Sequence, residues 1–372
     1  MKFLIITHVQ HVLNEGKYYG YAPYINEMNI WLSHVEDVEV IAPLKQGEVS
    51  AIETFYQHSN LKFSAIPSIE FTSAKLIVSS FFKLPIILFK IIKACKSADH
   101  IHLRCPGNIG LLGVFVQIFF PNKIKTAKYA GNWDPKSQQP VSYRIQKWIL
   151  KNTFLSKNIS ALVYGRWPNQ TKNVLPFFTA SFYDSEINKV SKKEKAHTYR
   201  FVFVGSLVEG KQPLKAIKIV EALKHKGYDV VLNIYGDGSL KQSLENYVAN
   251  NDLQHIVHFH GNVDKETIKT AFNNADFCIL LSKSEGWPKA IAEAMFFGVI
   301  PIATKVSCVP WMLNDGKRGI LVDDNVEVAT AKVIDFIEKE DFKTVIKEAK
   351  SWSQRYTLDY FDKEIQKLLH KK

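Results

Sequence analysis

The run Ser282-Lys283-Ser284-Glu285-Gly286-Trp287-Pro288-Lys289-Ala290-Ile291-Ala292-Glu293-Ala294-Met295 sets two carboxylates eight positions apart, with a Gly-Trp-Pro turn between them. Residues 276–281 before it form an apolar stretch of strand length. Residues 288–297 read as a helix, because proline favours the first helical turn and Gly298 marks the position past the last. The pattern puts Glu285 on the loop that feeds a helix N-terminus, where several backbone N–H groups have no partner within the helix. Such an end attracts a phosphate or a sugar hydroxyl. Glu293 falls one to two turns into the same helix, so the spacing lets both carboxylates reach one elongated ligand lying across the loop.

Positioning such a loop requires a sheet. From residue 200 onward strand-like and helix-like segments alternate: 200–204, 213–225, 230–235, 239–250, 255–260, 265–274, 276–281 and 288–297. That order predicts a parallel sheet with helices on both faces. Ligands of such sheets bind beyond the carboxyl ends of the strands. Three loops at those ends carry turn or phosphate chemistry: Gly205-Ser206-Leu207-Val208-Glu209-Gly210-Lys211, Gly236-Asp237-Gly238-Ser239, and the loop of Glu285 and Gly286. They should converge on one edge. The first half alternates less cleanly, with strands at 2–7, 38–42, 98–103 and 125–129 and a helix at 24–34, and predicts a second doubly wound domain.

The 372 residues exceed one ordinary core and suit two domains, which we place at 1–185 and 186–354, with a C-terminal helix at 355–372 packing back on the first. The basic run 189–195 reads as a solvated linker between them. Cys95, Cys105, Cys278 and Cys308 lie apart in apolar segments, as reduced thiols do. Three histidines, His255, His258 and His260, lack a fourth ligand nearby and read as part of an ordinary strand. The formal charge of +12 favours anionic partners, and the basic residues are spread through both halves. The N-terminal apolar run is too short for a signal peptide, and no stretch is long enough to span a bilayer. Residues 76–93 are almost wholly apolar, with Lys83, Lys90 and Lys93 interspersed. They fit either a helix lying in a membrane interface or a buried helix whose lysines reach water along their stems.

These residues resemble the family 4 retaining glycosyltransferases of the GT-B fold, α/β proteins with two Rossmann-like doubly wound domains facing each other across a cleft. The likeness covers most of the second half. It runs through Phe203-Val204-Gly205 with Lys211, Tyr235-Gly236-Asp237-Gly238, Gly261-Asn262-Val263, Ala275-Asp276, the Glu285 and Glu293 pair, Gly298-Val299-Ile300-Pro301 and Gly319-Ile320-Leu321-Val322. The carboxylate spacing alone would arise by chance among 36 acidic residues; the set of motifs at these spacings is specific.

The resemblance implies an enzyme that transfers a sugar, with retention of configuration, from a nucleotide diphosphate sugar to a glycan or lipid-linked acceptor in cell-surface polysaccharide synthesis. A UDP-sugar is favoured and a GDP-sugar is the other option. The donor would lie against Gly205, Ser206, Lys211, Gly236, Val263, Glu285, Gly286, Trp287, Pro288, Lys289 and Glu293. Lys211 would neutralise the diphosphate, the backbone N–H groups of 286–289 would hold sugar hydroxyls, and Glu293 would accept from the ribose. Glu285 would contact the donor sugar and the backbone near Val263 the base. The main electrostatic task is to stabilise the leaving diphosphate, which calls for preorganised positive charge. No metal or other cofactor is expected. The partners expected are the donor, the acceptor and the surface of an anionic membrane, without nucleic acid, in the cytoplasm or at the inner face of the cytoplasmic membrane.

Two positions depart from the family. Ser206 stands where an arginine commonly follows the first glycine. A first-domain histidine is replaced by the stretch Tyr129-Ala130-Gly131-Asn132-Trp133-Asp134, which makes Asn132 and Asp134, or Arg104 nearby, the candidates for the reacting centre. The segment from Asn14 to Gly20, with Gly16, occupies the place of the family's glycine-rich loop and reads either as that loop or as an ordinary surface loop. Two other classes compete: a GT-B epimerase, hydrolase or phosphorylase, and a basic nucleic-acid binder. The second would explain the charge but not the loops.

Overall fold

The computed structural model describes residues 1–50, 52–69, 74–189, 198–339 and 341–370, without the side chains of 74–78, 188 and 189. The proposed linker 189–195 lies almost wholly outside them. The chain forms two units, Met1–Phe178 with Phe361–Lys372, and Thr179–Tyr360. The break precedes position 185 because the segment after it belongs with the second unit: the Leu358 N–H donates to the Phe182 carbonyl at 2.8 Å.

The first unit runs β1 Lys2–Ile6, β2 His11–Asn14, β3 Lys17–Tyr21, α1 Ala22–Leu32, β4 Asp37–Lys45, β5 Glu53–Phe55, β6 Leu61–Ile66, α2 Ala74–Ser97, β7 His100–Cys105, α3 Asn108–Val116, β8 Ile124–Tyr129, α4 Val141–Lys151, β9 Ile159–Tyr164 and β10 Val174–Phe177. Its sheet has the order β10-β9-β8-β7-β1-β4-β2-β3-β5, and β6 also pairs with β4. The parallel part is doubly wound around β1, whose Phe3, Leu4, Ile5 and Ile6 are fully buried, as the middle of a sheet covered on both faces requires. The antiparallel β2 and β3 form a hairpin. Its two turn residues, Glu15 and Gly16, have φ of 49° and 72°, the pair of positive angles of a type I′ turn. Gly16 is therefore a hairpin glycine, and a Cβ there would meet no atom within 4 Å.

The second unit runs β11 Tyr199–Val204, α5 Pro213–His225, β12 Val230–Tyr235, α6 Lys241–Asn250, β13 Val257–Gly261, α7 Lys265–Asn274, β14 Phe277–Leu280, α8 Lys289–Phe296, β15 Ile300–Thr304, α9 Val309–Met312, β16 Ile320–Val322, α10 Val326–Lys339, α11 Phe342–Ser353 and the start of α12 Leu358–Leu369. Its six strands are parallel in the order β13-β12-β11-β14-β15-β16. The strand sequence turns back between β11 and β14, and the crevice at such a switch point is where open α/β sheets bind ligands.

Candidate active site

Lys211 and Glu285 come from the loops on either side of that switch point. The loop after β11 leads into α5, whose N-cap, Gln212, holds a left-handed φ of 51° before Pro213 opens the helix. Lys211 immediately precedes it. The loop after β14 is pinned to the first, because the Lys283 N–H donates to the Gly210 carbonyl at 2.9 Å. The Lys211 ammonium then reaches Glu285 Oε1 at 2.5 Å. The Glu285 side chain is only 7% exposed, and that of Lys211 30%. This buried carboxylate thus has a cation as partner, which its desolvation demands.

A fourth loop, after β15, escapes a reading based on motifs. Ser307 in that loop accepts the Glu285 N–H at 3.0 Å, and the Thr304 hydroxyl donates to the Ser282 carbonyl at 2.6 Å. Ser307 itself has φ of 52°. Left-handed non-glycine residues cost energy and gather where a site over-determines the backbone; here Gln212 and Ser307 flank the Lys211–Glu285 pair from two sides. The sequence signal was a polar Lys-Val-Ser loop directly after a buried strand.

The Gly236 loop packs directly on the first. The Gly205 N–H donates to the Tyr235 carbonyl at 3.0 Å and the Leu207 N–H to the Asp237 carbonyl at 2.9 Å. Gly236 has φ of 139°, and a Cβ there would lie 2.0 Å from the Gly205 oxygen. The three expected loops do converge on one edge. Ser206 is exposed beside them, and Val263 lies partly exposed between β13 and α7.

Pro288 caps α8, so the helix begins at Lys289 instead of at the proline, and no side chain caps it. Trp287 is expected to act through its backbone N–H, and its side chain serves another purpose. Its ring is buried among Trp311, Trp352 and Tyr356, at centroid distances of 6.3, 6.0 and 5.6 Å, so it serves as packing under the loop. Beside it the Cys308 thiol donates to the Gly286 carbonyl at 3.1 Å. Burial, and then the charge of Glu285, pushes the Cys308 pKa up and keeps it a neutral thiol. Glu293 stands one turn into α8 and accepts a hydrogen bond of 2.5 Å from the Ser181 hydroxyl. With Ser181, Trp287, Lys289 and Tyr356 it lines a tight crevice with a free volume of only about 10 Å³.

The first-unit candidates are occupied with folding their own loop. Asn132 Oδ1 accepts the Asp134 N–H at 2.9 Å, and Asp134 Oδ1 accepts the Lys136 N–H at 2.8 Å, two successive Asx turns. Arg104 donates to Glu27 at 3.2 Å and lies over the Tyr24 ring. Sequence reasoning passed over His8 just beyond β1, whose ring packs against Gly107. Desolvation by the groups packed around it, and then the charge of Arg104, lowers its pKa. His260 Nε2 donates to Asn233 Oδ1 at 2.8 Å, and its ring stacks on Tyr235. Among the described residues no group of three or more His, Cys, Asp or Glu is placed to hold a metal ion.

Residues 184–355 match the family described as glycosyl transferases group 1. An N-acetyl-D-galactosaminyltransferase of Campylobacter jejuni, named for a PP-undecaprenol-linked GalNAc acceptor, is 26% identical over 337 residues, 87% of this chain and 90% of that one. A putative colanic acid biosynthesis glycosyltransferase, WcaL of Salmonella typhimurium, is 27% identical over 169 residues, 43% of this chain and 42% of its own length. Anabaena HepE, solved in complex with UDP and glucose, superposes over 100% of both chains with a TM-score of 0.66 at 16% identity, which shows a shared GT-B fold. The match over most of the second unit, together with relatives named as glycosyltransferases, identifies the chain as a glycosyltransferase.

Proposed function

We propose that the chain transfers a sugar from a nucleoside diphosphate sugar, with retention, onto a lipid-linked glycan in the synthesis of a surface polysaccharide. The observation that carries this reading is the Lys211–Glu285 pair at the switch point, with Glu293 one turn down the adjoining helix. Lys211 is positioned to meet the charge that grows on the departing diphosphate, and Glu293 the ribose hydroxyls. Glu285 holds Lys211 in place and faces the sugar. The UDP in the HepE complex supports a UDP-sugar over a GDP-sugar, and the undecaprenol-linked acceptor in the name of the Campylobacter relative supports a lipid-linked acceptor. Since Lys211 supplies the positive charge, the reading requires no metal.

Purified protein incubated with a panel of UDP- and GDP-sugars, with and without a polyprenyl-diphosphate-linked saccharide, tests the proposal. The expected result is release of UDP from one donor, accelerated by the lipid-linked acceptor and unchanged by a chelator. Interconversion or hydrolysis of the donor indifferent to every acceptor would instead indicate an epimerase or hydrolase.

A further inference from the structure

We infer that one helical face of the first unit docks on the surface of an anionic bilayer through two apolar helices framed by lysines. The charge of the chain is not evenly shared. Residues 74–157 hold fourteen lysines and arginines against two aspartates, Asp99 and Asp134, while the remaining residues hold 34 of each sign. This stretch therefore carries the whole formal surplus of +12.

Within it α2, α3 and α4 contain no acidic residue and cover the same face of the sheet. Ile87 and Ile91 of α2, Ile109 and Val114 of α3, and Ile149 and Leu150 of α4 share one buried cluster. The outer surface of this layer is also apolar. On α2, Phe81, Phe82, Ile86 and Phe89 are exposed, Phe82 by 75%. Farther along the layer, Phe119, Val141, Trp148 and Phe154 are exposed, Trp148 by 57% and Phe154 by 89%. Over 79–93 the pair of readings left open for 76–93 thus resolves into a helix with one stripe in the core and an opposite stripe in solvent. Lys93 and Lys96 on α2, Arg144 and Lys151 on α4, and Lys157 beyond it are exposed among these groups.

Large aromatic side chains ringed by cations are what an interface-lying surface uses: the rings enter the acyl boundary and the ammonium groups meet phosphate. A second copy of the chain would bring two strongly cationic faces together, which Coulomb repulsion opposes. A nucleic acid would leave the phenylalanines without apolar partners. No helix among the described residues is long and apolar enough to cross a membrane, so the association is at the surface.

The inference rests on the lipid-linked acceptor only for its purpose, and the test needs no turnover. The full chain is sedimented with phosphatidylcholine vesicles and with vesicles containing phosphatidylglycerol. Binding to the anionic vesicles is expected, falling steeply with added salt, with quenching of Trp148 by brominated lipid that disappears in Trp148→Phe. Phe82→Ser with Phe89→Ser, at exposed sites, should weaken partitioning at least tenfold while leaving the circular dichroism unchanged. Lys93→Glu or Lys151→Glu should each cost roughly fivefold or more. Absence of binding at low salt, equal binding of all variants, or a wild-type dimer that Phe82→Ser converts to monomer would overturn the inference. Lost vesicle binding with donor turnover intact would leave the proposed reaction standing; the converse would leave the docking face standing.

Discussion

The ammonium of Lys211 and the carboxylate of Glu285, 74 positions apart in the chain, form a 2.5 Å ion pair across the switch point of the second sheet. Lys211 has two tasks in this arrangement: it partners a buried carboxylate, and it is the cation closest in sequence to the first glycine loop on a chain where Ser206 replaces the usual arginine. Lys211→Ala should lower kcat about 100- to 1000-fold, the usual loss when one preorganised charge is removed. It should also cost about 1–3 kcal/mol, because Glu285 is left unpaired. Adding Glu285→Gln removes the stranded charge and should recover most of the stability but none of the rate. Steady-state kinetics with urea unfolding reads both effects; a Lys211→Ala enzyme with wild-type kcat would remove Lys211 from the mechanism.

Glu293 makes a different kind of contact. Ribose hydroxyls are held equally in ground and transition states, so Glu293→Ala should weaken nucleotide binding about tenfold or more and change kcat little. Ser181→Ala removes the hydroxyl now bonded to Glu293 and leaves the carboxylate available, so its nucleotide affinity should remain near wild type. Calorimetric titration with UDP separates the two. Equal affinity in wild type and Glu293→Ala contradicts the ribose assignment.

Where the sequence was legible, the reason is local. The second unit alternates strand and helix with short loops, and Gly236 and Gly238 sit where a Cβ would meet the backbone of the first loop, so Gly205, Gly236 and the Glu285 turn could be placed from pattern alone. The first unit concealed more. Lys125 and Lys128 look like solvent positions in the stretch Ile-Lys-Thr-Ala-Lys-Tyr, yet both are 1% exposed. Lys125 gives its ammonium to the Phe120 carbonyl at 2.8 Å, and Lys128 to the Phe178 carbonyl at 2.6 Å above the Phe177 ring. These partners are 5 and 50 residues away and leave no periodic trace. Gly16 is ambiguous for the opposite reason: a glycine needed for a hairpin and one needed for a phosphate have the same letter. Ser307 and Ser181 were missed because their roles exist only once distant loops meet.

Gly236 offers a sharp test of that loop packing. A Cβ at this position would overlap the Gly205 oxygen, and φ of 139° is itself unfavourable for other residues. Gly236→Ala should therefore destabilise the protein by about 3 kcal/mol, combining overpacking with backbone strain. Gly210→Ala is the control, since nothing lies within 4 Å of its Cβ position; it should stay within about 1 kcal/mol of wild type. Equal unfolding midpoints for the two variants would mean that the two loops do not meet as described.

Acid should loosen the first unit before it touches the carboxylates. His11 is fully buried with Nε2 at 3.0 Å from the Tyr56 hydroxyl, and His100 and His102 share the Thr126 hydroxyl, each at 2.8 Å. Burial is the first cause that lowers the pKa of His11 and of His100 from 6.5 to about 4. Between those two values the unfolded chain binds a proton at each site and the folded chain does not, so stability rises with pH across this window. The contribution is complete above pH 6.5 and is lost as pH falls toward 4. Each histidine adds a slope of about 1.4 kcal/mol per pH unit. His11→Gln retains a polar partner for Tyr56 without titrating, so its unfolding free energy should fall with a slope shallower by one proton. Urea unfolding of both proteins through the window measures it, and parallel slopes would show that His11 titrates normally in the folded chain.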